Sequence, residues 1–317
     1  MLRPIQFTFL FLFPVFLSGC GKGDEMYTVT VSNELDLNRQ ESLEIPKSEF
    51  GNILCEHFAR FVVRDAGSRE LLPVQLVDED MDGEMDYLLF QPHVRAGETR
   101  TFEIFPGAEG IPDPDPDPEN RTFSRFVPER TDDYAWENDR VAFRTFGPAA
   151  QRMVEENVPG GTLSSGIDCW LKRVEYPIID KWYWKSLEGG GSYHEDTGEG
   201  IDNFHVGPSR GCGGTGVWDA GEQVLYTSSN FTSWTCVATG PLRTRFELDY
   251  TPWEYPGGML DEQKIISLDL GSNLMRIELR FAPGNTPETI STGITLHEKD
   301  GSILVDESAG WFSYWQP

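Results

Sequence analysis

Hydrophobic and polar residues alternate along most of this chain. The segment YTVTVSNELDL, from Tyr27, changes face at every residue and breaks at Ser32-Asn33. LLPVQLVDEDMDGEMDYLLFQP reads as a strand, an acidic turn and a second strand, and TRTFEIFPG as one more. RVAFRTFGP (Arg140 to Pro148), GPLRTRFELDY (Gly240 to Tyr250) and KIISLDLGSNLMRIELRFAPG follow, the last as a hairpin turning at Gly271-Ser272-Asn273. A period of two puts Leu242, Thr244, Phe246 and Leu248 on one face and Arg243, Arg245, Glu247 and Asp249 on the other. Met275, Ile277, Leu279 and Phe281 oppose Arg276, Glu278 and Arg280 in the same way. One apolar face and one charged face per strand predict an all-β fold, an antiparallel β-sandwich. The plain reading of the charged face is solvent. Its alternative is a concave floor that takes a polar ligand, with Arg243 as a substrate contact. No long helical period stands out.

Breaks in this pattern divide the chain. GIPDPDPDPENR, from Gly110 to Arg121, alternates proline with acid, which forbids a sheet interior and favours extended chain. Residues 111–121 are therefore a linker or a surface crossing between N-terminal strands in 21–110 and a main sandwich in 122–317. The first 20 residues differ again. Arg3 precedes an apolar run from Phe7 to Leu17, too short to span a bilayer, and LSGC closes it at Cys20. This reads as a lipoprotein signal whose cysteine is lipidated. It predicts an exported protein anchored by lipid to a bacterial membrane, on the outer membrane or the periplasmic face. The chain stops at GWFSYWQP, read either as a docked last strand or as the edge of a fragment.

Charge narrows the partners. The net charge is -26, from 52 acids against 26 bases, which repels nucleic acid and requires a local basic patch for any anionic substrate. Cys55, Cys169, Cys212 and Cys236 form no C-x-x-C pair, so a thiolate zinc site is not expected; their pairing stays open.

Two segments carry candidate chemistry. DEDMDGEMD sets Asp78, Asp80 and Asp82 at alternate positions before Gly83, like the first half of an EF-hand loop, but Leu89 occupies the twelfth position. An acidic solvated turn ranks above a structural calcium clip there, and no cofactor is required by the sequence. The second segment runs from GIDCWLKRVEYP to GCGG. Lys172, Arg173, Lys181, Lys185 and Arg210 concentrate positive charge in an acidic chain, and Trp170, Trp182, Tyr183, Trp184, Tyr193 and Trp218 offer flat faces suited to a sugar ring. Within it, GGGSYHEDTGEGIDNFHVG holds two of the five histidines and reads as a functional loop. His194 and His205 are candidate bases, Tyr193 a candidate acid, and Lys172, Arg173, Arg210 and Trp170 candidate substrate contacts. If extended, this loop sets His194 and Asp196 on one side and Tyr193 and Glu195 on the other. His194, Asp196, Glu199, Asp202 and His205 together are a weaker candidate cation site.

VTVSNELDLNRQESLEIP, DEDMDGEMDYLLFQ, YAWENDRVAFRTFGP, GIDCWLKRVEYPIIDKWY, SYHEDTGEGIDNFHVGPSRGCGG and GPLRTRFELDY resemble a family of bacterial exported proteins long described as of unknown function, with genes in polysaccharide-utilisation clusters. These strings cover most of the chain after the leader. The resemblance implies a β-sandwich of the galactose-mutarotase type. It also implies an activity like that of one member, an oligosaccharide dehydratase acting on ulvan, a sulfated uronic-acid polymer. Such an enzyme removes water across C4 and C5 of a non-reducing-end uronic acid and leaves a 4,5-unsaturated uronate. It needs cations at the carboxylate, a base for the C5 proton and an acid for the 4-hydroxyl. Arg173, Arg210 or Lys172 are expected in the first role, His194 or His205 in the second, and Tyr193 or the other histidine in the third. The competing expectations are another sugar-active enzyme (lyase, epimerase or glycoside hydrolase) and a glycan-binding lipoprotein without catalysis.

Overall fold

The computed structural model describes residues 15–16, 26–51, 57–108, 121–284 and 286–316. Residues 1–14 of the expected leader, Cys20, Cys55 and residues 111–120 of the acidic proline tract lie outside them. The chain divides into two compact units, Met1–Pro116 and Asp117–Pro317.

In the first unit, strands Val15–Phe16, Tyr27–Ser32, Thr99–Pro106, Phe61–Asp65 and Leu71–Leu72 form one sheet in that order. Leu43–Pro46, Tyr87–Phe90 and Val74–Val77 form a second. Alternation does what the sequence requires: Val29, Val31, Val63, Phe102 and Ile104 from the first sheet pack with Ile45, Leu88 and Phe90 from the second. DEDMDGEMD is the turn between Val74–Val77 and Tyr87–Phe90.

The second unit is an antiparallel sandwich. A meander of Phe123–Val127, Asp133–Glu137, Val141–Thr145, Asp168–Lys172 and Gly200–Phe204 makes a five-stranded sheet. Phe231–Thr239, Arg243–Tyr250, Glu262–Asp269 and Arg276–Phe281 make a four-stranded one, with the last two strands paired as the expected hairpin. Tyr134, Trp136, Phe143 and Cys169 of the first meet Phe231, Phe246, Leu248 and Ile266 of the second. All are buried, and each large apolar side chain contributes about 2 kcal/mol by leaving water. The thiols of Cys169 and Cys212 adjoin within this core, each altering the other's acidity. Arg243 lies on the four-stranded sheet, paired with Asp269 at 2.5 and 2.8 Å.

Among the described residues, two short α-helices interrupt the strands where the alternating pattern gives no sign of them. Helix α1 (Pro148–Glu155) starts with proline at its first position, and Ala149 N donates to Asp132 Oδ2 at 3.0 Å. Helix α2 (Ile179–Leu187) lies on the outer face of the five-stranded sheet, where Ile179, Trp182 and Tyr183 recur at helical spacing and pack on Trp170, Ala135 and Ala142. Glu137, from the sheet beneath, accepts the backbone N–H groups of Ile178 and Ile179 at 2.9 to 3.0 Å. A carboxylate there satisfies orphan donors and complements the helix dipole. No helix among the described residues is long and apolar enough to cross a membrane.

Candidate active site

Alternation on the five-stranded sheet sends its other set of side chains outward: Ala135, Ala142 and Trp170 lie under α2, and beside them stand charged residues. Asp133, Arg144, Asp168 and Asp202 are all buried. Arg144 stands directly across from Asp168 in the strand register. Its Nε donates to Asp168 Oδ2 at 2.5 Å, while its other nitrogens lie 3.5 Å from Asp133 Oδ2 and 3.8 Å from Asp202 Oδ2. Arg144 Nη1 donates to Tyr193 Oη at 2.9 Å. Burial opposes the guanidinium charge, but Asp168 and Asp133 outweigh it and keep Arg144 protonated well above its ordinary range. Asp168 also accepts from Val206 N at 2.5 Å, so both its oxygens are occupied.

Asp202 is different. Neither of its oxygens makes a hydrogen bond of good geometry among the described residues, and the indole nitrogen of Trp170 across the strand stands near enough only to lower its pKa slightly. Burial, reinforced by Asp168 and resisted by Arg144, pushes its carboxyl up to about 8. His194 Nδ1 lies 3.4 Å from Asp202 Oδ2. The strand bearing Asp202 begins at Gly200, whose φ is +126°; a Cβ there would sit 2.0 Å from the Leu171 carbonyl oxygen. Only glycine allows that approach.

A cavity of about 400 Å³ opens at one end of this sheet. His194, His205, Arg130, Arg144 and Asp168 supply its charged and titratable lining, and Phe146, Leu163 and Thr162 much of the remainder. Asn230, fully buried, fixes the loop carrying Thr162 and Leu163: its Nδ2 donates to the carbonyls of Gly147 and Thr162 at 2.9 and 2.8 Å, and its Oδ1 accepts from Ser164 N. The His194 and His205 rings meet edge-on with centroids 5.2 Å apart. His297, from the loop after Ser291–Ile294, stacks on His205 at 4.3 Å. Burial, and then the His205 charge, lower its pKa. Three of the five histidines thus converge from two distant parts of the sequence.

The structure brings His194 and His205 to the cavity and places Tyr193 behind its wall. Tyr193 is buried, stacked on Trp170 at 5.2 Å, with its hydroxyl engaged by Arg144. Tyr193 and His194 form a turn rather than extended chain, with their ring centroids 4.7 Å apart. The remaining candidates lie away from this cavity. The Lys172 side chain is fully buried, donating to Glu137 Oε2 at 2.9 Å and to the Asn138 carbonyl at 2.6 Å, so its charge serves the α2 cap. Trp170 is also fully buried, beneath Trp182, Tyr183 and Tyr193, and offers no face to a sugar. Arg173 is exposed and pairs with Asp196 at 2.8 Å. Arg210 bonds Ser164, Ser165 and the Thr215 carbonyl. Neither arginine lines the cavity, nor does Arg243.

The five-residue cation set splits. His194, Asp202 and His205 offer ligand atoms all within 4.8 Å of one another. Asp196 instead closes its own turn and pairs with Arg173, and Glu199 bonds Tyr176 and Lys181. Asp78, Asp80 and Asp82 also converge, in the exposed turn, where Gly83 N donates to Asp78 and Glu84 N to Asp82.

The chain matches the domain of unknown function DUF4861 over residues 31–317. It is also similar to a protein of Formosa agariphila named uncharacterized protein P7, with 47% identity over 301 residues, which cover 94% of this chain and 74% of that protein. The chain belongs to the DUF4861 family.

Proposed function

We propose that this protein is a hydro-lyase that removes water from a non-reducing-end uronic acid of an anionic oligosaccharide, of the ulvan type, to give a 4,5-unsaturated uronate. One observation carries the reading: His194 and His205 share a sugar-sized cavity with two arginines. In the elimination the C5–H bond breaks, its electron pair forms the C4–C5 double bond, and the C4–O bond breaks. The departing hydroxide leaves as water once protonated. An imidazole takes the C5 proton and the other protonates the leaving oxygen, each worth about a hundredfold to ten-thousandfold in rate.

His194 Nδ1 faces the backbone carbonyl of Asp202 at 3.4 Å, with the Asp202 carboxyl at the same distance, and the opposite ring nitrogen is assigned to the cavity. Arg130, whose Nη1 donates to Thr131 Oγ1, lines the same cavity and is the cation assigned to the substrate carboxylate. Arg144 is balanced by three aspartates and shapes the site rather than neutralising the sugar. A glycoside hydrolase needs two carboxyl groups facing the scissile bond. The single carboxylate among the cavity's lining residues, Asp168, is saturated by Arg144 and Val206, which favours elimination over hydrolysis.

With LSGC read as a lipoprotein signal, the proposal includes export and a lipid on Cys20 that holds the enzyme at a membrane surface. Incubation with oligosaccharides that end in saturated glucuronic or iduronic acid tests the activity; formation of a product lighter by one water, with the chain length unchanged, is the expected result.

A further inference from the structure

Asp202 is a buried acid held only by long polar contacts, 3.8 Å to Arg144 and 3.4 Å to His194 Nδ1. Its side chain is fully shielded, neither oxygen makes a hydrogen bond of good geometry among the described residues, and it sits between two imidazoles. A buried acid left in that state is costly. Nδ1 of His205 is likewise buried and without a hydrogen-bond partner among the described residues. Two orphaned polar groups of different chemistry therefore border the same space, with His194 Nδ1 3.4 Å from the Asp202 oxygen as a third donor.

We infer that His194, Asp202 and His205 form a binding site for one divalent transition-metal ion, zinc by donor preference, and that its occupancy converts the two imidazoles from proton carriers into ligands. Two nitrogens and one carboxylate oxygen are a common three-ligand zinc set, which leaves a fourth position open. Two donors on one zinc lie at most about 4.2 Å apart, twice the bond length. The ligand atoms here lie within 4.8 Å of one another, so small side-chain adjustments close the set. Borderline imidazole ligands favour zinc, nickel or copper over calcium and magnesium. His297, stacked against His205, packs one ligand ring from outside the set.

Binding rests on this geometry alone; the effect on turnover rests on the dehydratase reading. An imidazole whose lone pair is on a metal cannot accept the C5 proton, so zinc and turnover exclude one another.

The test is calorimetric titration of zinc chloride into the full-length protein after dialysis against a chelator, with no sugar present. One equivalent should bind. Binding should weaken by more than about tenfold in both Asp202→Asn and His205→Gln, and stay unchanged in Asp80→Asn, which alters only the acidic turn. If Asp202→Asn fails to fold by circular dichroism, His205→Gln carries the comparison. No zinc binding by the wild type, or wild-type binding in His205→Gln, would overturn the site. Turnover of the saturated oligosaccharide should fall as zinc is added and recover with chelator. Activity lost on chelation would overturn the ligand-for-carrier switch. Zinc bound without any dehydration would remove the enzymatic reading and leave the metal site standing; dehydration with no zinc binding would do the reverse.

Discussion

Arg144 Nη1 donates to the hydroxyl of Tyr193 at 2.9 Å, so the tyrosine nearest the histidines in sequence is held to the sheet and not to the cavity. In the proposed mechanism Tyr193 is therefore assigned a positioning role. Tyr193→Phe keeps the stack on Trp170 and removes one acceptor of a buried guanidinium. The expected loss is about 1.5–3 kcal/mol of stability by denaturant unfolding. Turnover by the folded variant should fall by less than about a hundredfold, the low end for losing a general acid. A larger fall in kcat would return Tyr193 to the chemistry.

His194 is half exposed and makes few structural contacts, so its removal separates chemistry from folding. His194→Ala should lower kcat by roughly a hundredfold to ten-thousandfold and leave the unfolding midpoint nearly unchanged. Unaltered turnover would take His194 out of the mechanism.

Lys172 and Glu137 are a buried pair that also caps α2. Lys172→Met leaves the Glu137 charge without its cation. Breaking such a pair costs about 3–5 kcal/mol. The melting temperature should drop sharply while KM of the folded protein holds, whereas a substrate-binding lysine would show the opposite split.

The strands and the sandwich are legible in the sequence because a period of two is a local signal. Helix α2 is not, since IDKWYWKSL is nine residues long and shows only Ile179, Trp182 and Tyr183 on its buried face. Helix α1 is legible in principle: Gly147-Pro148 before an alanine pair is a helix start. The histidine loop stands out by composition, and His194 and His205 do reach the cavity. The basic residues beside it mislead because charge along a chain says nothing of direction: Lys172 turns inward to Glu137, and Trp170 goes under α2. Arg144 and His297 are invisible for another reason. Arg144 matters through its register against Asp168, and His297 lies ninety-two positions beyond His205, so each depends on tertiary pairing.

Asp133 gives a pH signature. Burial raises its pKa to about 6, against Arg144 and Arg130, with Tyr183 donating to it at 3.1 Å and Asp168 repelling it. The folded pKa exceeds the unfolded one, so this contribution to stability is complete below about pH 4 and is lost as pH rises through about 6. Asp133→Asn is neutral throughout. The stability of wild type relative to this variant should fall by roughly 3 kcal/mol between pH 4 and pH 7, since each tenfold change in acidity is worth about 1.4 kcal/mol. Denaturant midpoints at the two pH values measure it, and a constant difference would contradict the assignment.

The functional reading stands or falls with the elimination of water from a terminal uronate in the His194–His205 cavity. Its sharpest test is ultraviolet absorbance during incubation of the full-length chain with saturated glucuronate- or iduronate-ended oligosaccharides, followed in parallel by mass spectrometry. The expected result is rising absorbance of the conjugated unsaturated uronate, loss of one water and an intact chain. Absorbance that rises with chain cleavage, or no change in either signal while the sugar still binds, would contradict it.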